Sequence, residues 1–193
     1  MFAQSSFRGG TRLSRLLAAG AAVLAFGLLA GTAAGSAAAA TVRPARASGT
    51  PACAASGVVV WLNTSGSGAA GSTYYNLELT NLSGRSCTLG GYAAVSGVDL
   101  GHKALGSPAN HSGPKKPARV TLGKDGNAHS VLQIVVVQNY PASSCRPVEA
   151  AGLGVKVPGG SSAEFVPFPF SACAKAGDRY LSIGPVLKGL GTS

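Results

Sequence analysis

Three histidines, His102, His111 and His129, and six carboxylates are all that this 193-residue sequence offers for acid–base or metal chemistry. Nucleophilic hydrolysis needs a hydroxyl, an imidazole and a carboxylate within hydrogen-bonding reach of one another. The histidines, with Asp99, Asp125 and Asp178, supply those residue types but at no recognisable spacing. No G-x-S-x-G elbow, H-E-x-x-H helix or glycine-rich loop ending in G-K-[ST] occurs. Asp99, His102 and His111 share one loop-prone stretch and could form a loose metal site through neutral imidazoles. Their spacing matches no ligand motif, and they read better as solvated loop side chains. No catalytic, metal-binding or cofactor-binding residue is therefore assigned. A small secreted hydrolase or metal-dependent enzyme stands as the alternative to a non-catalytic domain.

Bases outnumber acids, sixteen Lys and Arg against six Asp and Glu. Lys103, Lys115, Lys116, Arg119 and Lys124 fall in one stretch that contains no acid. Within it, Pro114-Lys115-Lys116-Pro117 is expected to be extended and exposed, because the prolines disfavour helix and withhold donors. Such a loop suits an anionic partner: cell-wall phosphate, acidic polysaccharide or lipid headgroups. The plainer reading is a solvated face whose lysines blunt a strand edge. Nucleic acid is not expected, because no aromatic residues are interleaved with the lysines as stacking surfaces.

The elements that must position these residues begin after a targeting segment. Arg8, Arg12 and Arg15 precede the apolar run LLAAGAAVLAFGLLA and the small-residue stretch GTAAGSAAAA. A basic region, an apolar region and an A-x-A-like end define a secretory signal peptide. A Sec-type peptide over residues 1–40, cleaved near Ala40, is expected, with membrane contact only during export; an uncleaved anchor is the alternative. Residues 41–56 read as a flexible Ala/Ser/Pro/Thr leader. Three of the sixteen bases lie in residues 1–40, leaving thirteen against six acids, a net +7 on the exported part.

From residue 57 onward the pattern is short strands between glycine-rich turns. VVVWL at 58–62 is β-branched and aromatic, and TYYNLELTN at 73–81 alternates, with Tyr75, Leu77 and Leu79 on one face and Asn76, Glu78 and Thr80 on the other. NTSGSGAAGS at 63–72 reads as a loop between them. Trp61, between Val60 and Leu62, is expected in the core. Further strands are expected at 87–89, 95–100, 119–122, 131–138, 153–157, 163–166 and 180–183. LQIVVVQ at 132–138, apolar on both faces, fits a central strand. Seven to nine such strands indicate an all-β fold, an antiparallel immunoglobulin-like β-sandwich over residues 53–187, with a tail at 188–193 and a β-barrel as runner-up. Asn63, Asn81 and Asn110 open N-x-[ST] triplets, which matter as glycan acceptors in a eukaryotic secreted protein.

Four cysteines, Cys53, Cys87, Cys145 and Cys173, lie beyond the targeting segment, an even number suited to an oxidising compartment. No two are close enough for a metal-binding C-x-x-C, so two disulfides are expected. Three pairings are possible. Chain order and strand proximity favour Cys53–Cys87 with Cys145–Cys173.

The run Gly71-Ser72, Tyr75, Leu77, Leu79, Asn81-Leu82-Ser83-Gly84, Cys87-Thr88-Leu89, Gly91-Tyr92 resembles the secreted actinobacterial family called domain of unknown function 4232. That family shows an early cysteine, a G-S-x-Y strand leading to L-x-N-x-S-G-x-x-C-x-L-x-G-Y, and two later cysteines. Cys53, Cys145 and Cys173 fill the remaining cysteine places. Ala93 departs from the proline that often follows the Gly-Tyr pair. The resemblance implies an extracytoplasmic β-sandwich and brings no activity and no functional residues. Residues and resemblance together lead to the expectation of a secreted, non-catalytic binding or structural domain of the cell envelope or exterior. Its expected partner is an anionic cell-wall polymer or an envelope protein.

Overall fold

The computed structural model describes residues 49–192. The expected signal peptide and most of the leader lie outside the described residues. In chain order the strands are β1 (Val58–Ala69), β2 (Ser72–Asn81), β3 (Cys87–Gly90), β4 (Ala94–Val98), β5 (Ala104–Leu105) and β6 (Asn110–His111). They continue with β7 (Arg119–Leu122), β8 (Asn127–Val135), β9 (Pro147–Lys156), β10 (Glu164–Cys173), β11 (Leu181–Ile183) and β12 (Leu187–Lys188). One helical turn, α1 (Ala142–Cys145), precedes β9.

The strands form two principal sheets that do not close into a barrel. The first runs β1-β2-β8-β11-β6, with β12 added beside β8; the second runs β10-β9-β4-β5. A two-stranded ribbon pairs β3 with β7. Among the described strands the pairings are antiparallel except β11 with β6, and an isolated parallel bridge joins Ala52 to Thr88. Alternation drives the layering. Leu77 and Leu79 of β2, Leu132 and Ile134 of β8, and Leu181 and Ile183 of β11 turn inward. They join one buried cluster with Val95 of β4, Leu153 and Val155 of β9 and Val166 and Ala172 of β10. Each of the larger side chains contributes roughly 1.5–3 kcal/mol on burial. Tyr180 is wholly buried among them; its hydroxyl donates to the Leu105 carbonyl at 2.9 Å, and burial pushes its pKa up to about 12.

The fold class is the expected all-β one, while several local boundaries differ. The stretch 63–72 is not a loop: β1 continues to Ala69, and only Ala70 and Gly71, at φ 37° and 81°, make the turn. Two central residues with positive φ suit the right-handed twist of a tight hairpin. Gly66 inside β1 serves close approach instead, since a Cβ there would strike the Tyr75 ring, whereas Gly68 faces open space. The pairing register with β2 shifts between Asn63 and Ser67, the mark of a bulge. Trp61 is not in the core. Val58, Val60 and Leu62 take the inward positions, leaving Trp61 41% exposed on the outer face with its indole N–H toward Thr80 Oγ1 at 3.4 Å. LQIVVVQ is not one strand packed on both sides: β8 ends at Val135, and buried Val137 belongs to a following 3-10 turn.

Both disulfides join the favoured partners, Cys53 with Cys87 and Cys145 with Cys173, at Cα separations of 4.8 and 4.6 Å. The first holds the segment before β1 against β3, where Cys53 N–H donates to the Thr88 carbonyl and Thr88 N–H to that of Pro51. The second joins α1 to the end of β10.

A candidate binding groove on the outer face of the first sheet

The register across β1, β2 and β8 lines up three rows of side chains on the outer face: Trp61–Glu78–His129, Asn63–Asn76–Val131 and Ser67–Tyr74–Gln133. This is the polar side of the alternation in residues 73–81, and it is not an open surface. Tyr74, Asn76, His129, Val131 and Gln133 line a groove of about 520 Å³ together with Pro114, Lys115, Leu187 and Thr192. That volume is in the usual range of ligand clefts, roughly 300–1,000 Å³.

The residues expected to form a tail make one wall. Leu187 and Lys188 pair with His129 and Ala128 of β8, and Gly189 N–H donates to the Asn127 carbonyl. Asn76 Nδ2 donates to the Thr192 carbonyl at 3.2 Å, and Gly191 N–H donates to Glu78 Oε1 at 2.9 Å. Gly191 is required at this point, because a Cβ there would collide with the Asn76 amide. Under this strap Asn76 is 7% exposed and Glu78 is wholly buried, its Oε2 without a hydrogen-bond partner among the described residues.

Burial raises the Glu78 pKa above its usual value, opposed by the Gly191 N–H and by the charge of neighbouring His129. A carboxyl with a raised folded-state pKa binds more protons folded than unfolded, so stability falls as pH rises from the unfolded pKa through the folded one. The protein is therefore expected to lose stability with rising pH above about 4.5 through this group. Glu78→Gln, which keeps the acceptor for Gly191, should flatten that part of the profile. Chemical denaturation at half-unit pH steps measures both; an unchanged slope in the variant would exclude Glu78 as its source.

The five basic residues assigned to one anion-binding loop are spread over the β4–β5 turn, the β6–β7 loop, β7 and the β7–β8 turn. Lys103 follows the β4 turn, where its N–H and that of Gly101 donate to Asp99 Oδ1, each at 2.9 Å. Lys115 and Lys116 are exposed between β6 and β7, and of the five only Lys115 lines the groove. Arg119 opens β7 beside a different hollow that includes Gly90 and Gly91. Lys124 sits in the β7–β8 turn.

The candidate metal donors are also held apart by local partners. Asp99 accepts from its own turn, His102 stacks on Phe165 at 4.5 Å and His111 stacks on Tyr92 at 3.9 Å. Among the described residues Cys145, Cys173 and Asp178 do cluster, but the two sulfurs are bonded to each other. His129 is the one histidine in the groove, and its Nδ1 lies 2.8 Å from the Gly189 carbonyl oxygen. Ser112 and Lys115, both lining the groove, stand at S-x-x-K spacing, a signal present in the sequence. The motif places its lysine beside the serine; here Gly113, at φ 102°, and Pro114 hold a non-helical loop.

Asn81 connects the groove's scaffold to the sequence motif. Wholly buried at the end of β2, it donates through Nδ2 to the carbonyls of Arg85 at 2.8 Å and Gly123 at 2.7 Å. Its Oδ1 accepts from Ser83 N–H at 3.1 Å and Ser83 Oγ at 2.7 Å. Gly84 and Gly91, at φ 76° and 92°, supply turn conformations that side-chain-bearing residues rarely adopt.

Two largely antiparallel sheets around one core, two disulfides and a groove across one outer face define a disulfide-braced all-β domain. The chain belongs to the family described as Domain of unknown function (DUF4232), whose model matches residues 53–187. No curated protein and no solved structure matches it.

Proposed function

We propose that this protein is a non-catalytic binding domain that works outside the cytoplasm and holds an anionic polymer of the cell envelope. The observation that carries this reading is the groove on the first sheet, with Lys115 at its side and no carboxylate side chain among the described residues that line it. Low-dielectric walls strengthen the field of a cation at a cleft. Two disulfides and the apolar run at residues 16–30 support an extracytoplasmic setting. The histidines are engaged elsewhere in this reading: His102 and His111 lie against aromatic rings, and His129 Nδ1 lies 2.8 Å from the Gly189 carbonyl oxygen.

Retention of the purified protein on immobilised poly(glycerol phosphate) is expected to fall steeply with salt. Lys115→Glu/Lys116→Glu should lower retention at least fivefold at low ionic strength without shifting the thermal midpoint, since both side chains are exposed. Equal retention of the two proteins at every salt concentration would refute the assignment.

A further inference from the structure

The groove does not end at β2. A smaller hollow of about 210 Å³ is lined by Ser65 and Ser67 of β1 and shares Tyr74, Asn76, Val131 and Thr192 with the larger one. The two make one trough that crosses the strands from Pro114 and Lys115 over β8 and β2 to β1. We propose that this trough is a subsite for an acidic glycan, whose sugar rings lie across the strands and whose carboxylate meets Lys115. The proposal rests on the binding function above and names the chemistry of its ligand.

Three features of the lining select this class. The first is the polar groups. Asn76 and Gln133 carry side-chain amides that both donate and accept, and Ser65, Ser67 and Tyr74 carry hydroxyls. Amides paired with hydroxyls suit the neighbouring hydroxyls of a sugar, which also donate and accept. Asn76 is more than nine-tenths buried and fixed by Thr192, so its amide is preorganised rather than a mobile surface group. The second is the apolar floor. Val131 is 40% exposed at the centre of a sheet, and with the Tyr74 ring it offers a surface for the C–H faces of sugar rings. The third is charge. Lys115 is the lysine at the trough, and the nearest carboxylate by register, Glu78, is sealed under the strap.

The direction of the trough disfavours a peptide. An extended peptide is recognised by main-chain hydrogen bonds at a strand edge. The floor here is β2 and β8, each paired on both sides, so their main chain is already satisfied and only side chains face the ligand. Nucleic acid would need a succession of aromatic platforms, and the trough has Tyr74 with Tyr75 only at one border.

The test is titration calorimetry of the full chain with three probes: hexagalacturonate, neutral cellohexaose, and inorganic polyphosphate of matched charge. Hexagalacturonate is expected to bind at least tenfold more tightly than cellohexaose. Gln133→Ala and Tyr74→Phe should weaken hexagalacturonate at least fivefold while leaving polyphosphate within twofold, and Lys115→Glu should weaken both. Tyr74→Phe keeps the ring, so loss of binding with an unchanged thermal midpoint reads the hydroxyl and not the fold. If polyphosphate binds and hexagalacturonate does not, or binds without regard to Gln133 and Tyr74, the glycan subsite is overturned and the broader anionic reading stands. If cellohexaose binds as well as hexagalacturonate, the role of Lys115 is overturned. If neither anion binds, the broader reading falls as well.

Discussion

Asn81→Ala is expected to destabilise the protein by about 3 kcal/mol. The alanine would orphan the carbonyls of Arg85 and Gly123 and the Ser83 N–H, all of which meet the Asn81 amide. A buried polar group left unmatched costs about 1–3 kcal/mol, and these costs do not add fully where the groups share one site. Asn81→Asp is the sharper variant. It preserves shape and the acceptor for Ser83 but turns a second oxygen on two carbonyls, so it should cost at least as much as alanine. Urea unfolding of the three proteins at neutral pH measures the differences. A loss below about 1 kcal/mol for both variants would mean that water takes over the amide's role.

The second large effect belongs to the disulfides. Removing the Cys145–Cys173 bridge by Cys145→Ala/Cys173→Ala should cost about 3.5 kcal/mol from chain entropy, for a loop with sequence separation 28. Both cysteines are wholly buried, so the two alanines also leave unfilled volume, and the cost should exceed that figure. The Cys53–Cys87 bridge, with separation 34, should cost a similar amount in entropy. Unfolding midpoints of the double variants against the oxidised wild type give the values. A change under about 1 kcal/mol would mean that the reduced chain is already constrained without the bond.

Much of this architecture is readable in the sequence where a local rule decides the outcome. Residues 73–81 alternate, and β2 occupies Ser72–Asn81 with Leu77 and Leu79 inward. The cysteines pair as order and proximity suggest because each partner closes a chain-local loop. Where two rules compete, the reading fails. Gly66 and Gly68 signal a loop by composition, yet the hairpin geometry with β2 keeps them in β1. Pro167 and Pro169 argue for ending a strand at Val166, yet β10 runs to Cys173 because it is an edge strand, paired only with β9. Trp61 looks like core by composition, and the alternation of Val58, Val60 and Leu62 places it outside.

The candidate site is less readable, for a physical reason. Asn76 and Glu78 stand out as the polar face of a strand, but their burial depends on Gly191 and Thr192, more than a hundred residues away. No local pattern announces that a strap will cross that face. The basic stretch is spread out by the turns between β4 and β8: Lys115 and Lys116 stay together on the β6–β7 loop, while Arg119 lies beside a different hollow. Only Lys115, held between Gly113 and Pro117, reaches the groove.

The positions of the two bridges also describe the chain when it is oxidised and unfolded. One ring, closed by Cys53 and Cys87, contains the β1–β2 hairpin; the other, closed by Cys145 and Cys173, contains the β9–β10 hairpin. Between them runs an unbridged tether that carries β4 and β8. The folded seam is knitted when β8 zips onto β2 and β4 onto β9, so the two rings, linked by the backbone of the tether but by no disulfide, come together through strand pairing. Reductant acts on the rings and denaturant acts on the seam. The molecule is thus two preformed lassos laced together by their own connecting cord, each holding one hairpin of a different sheet.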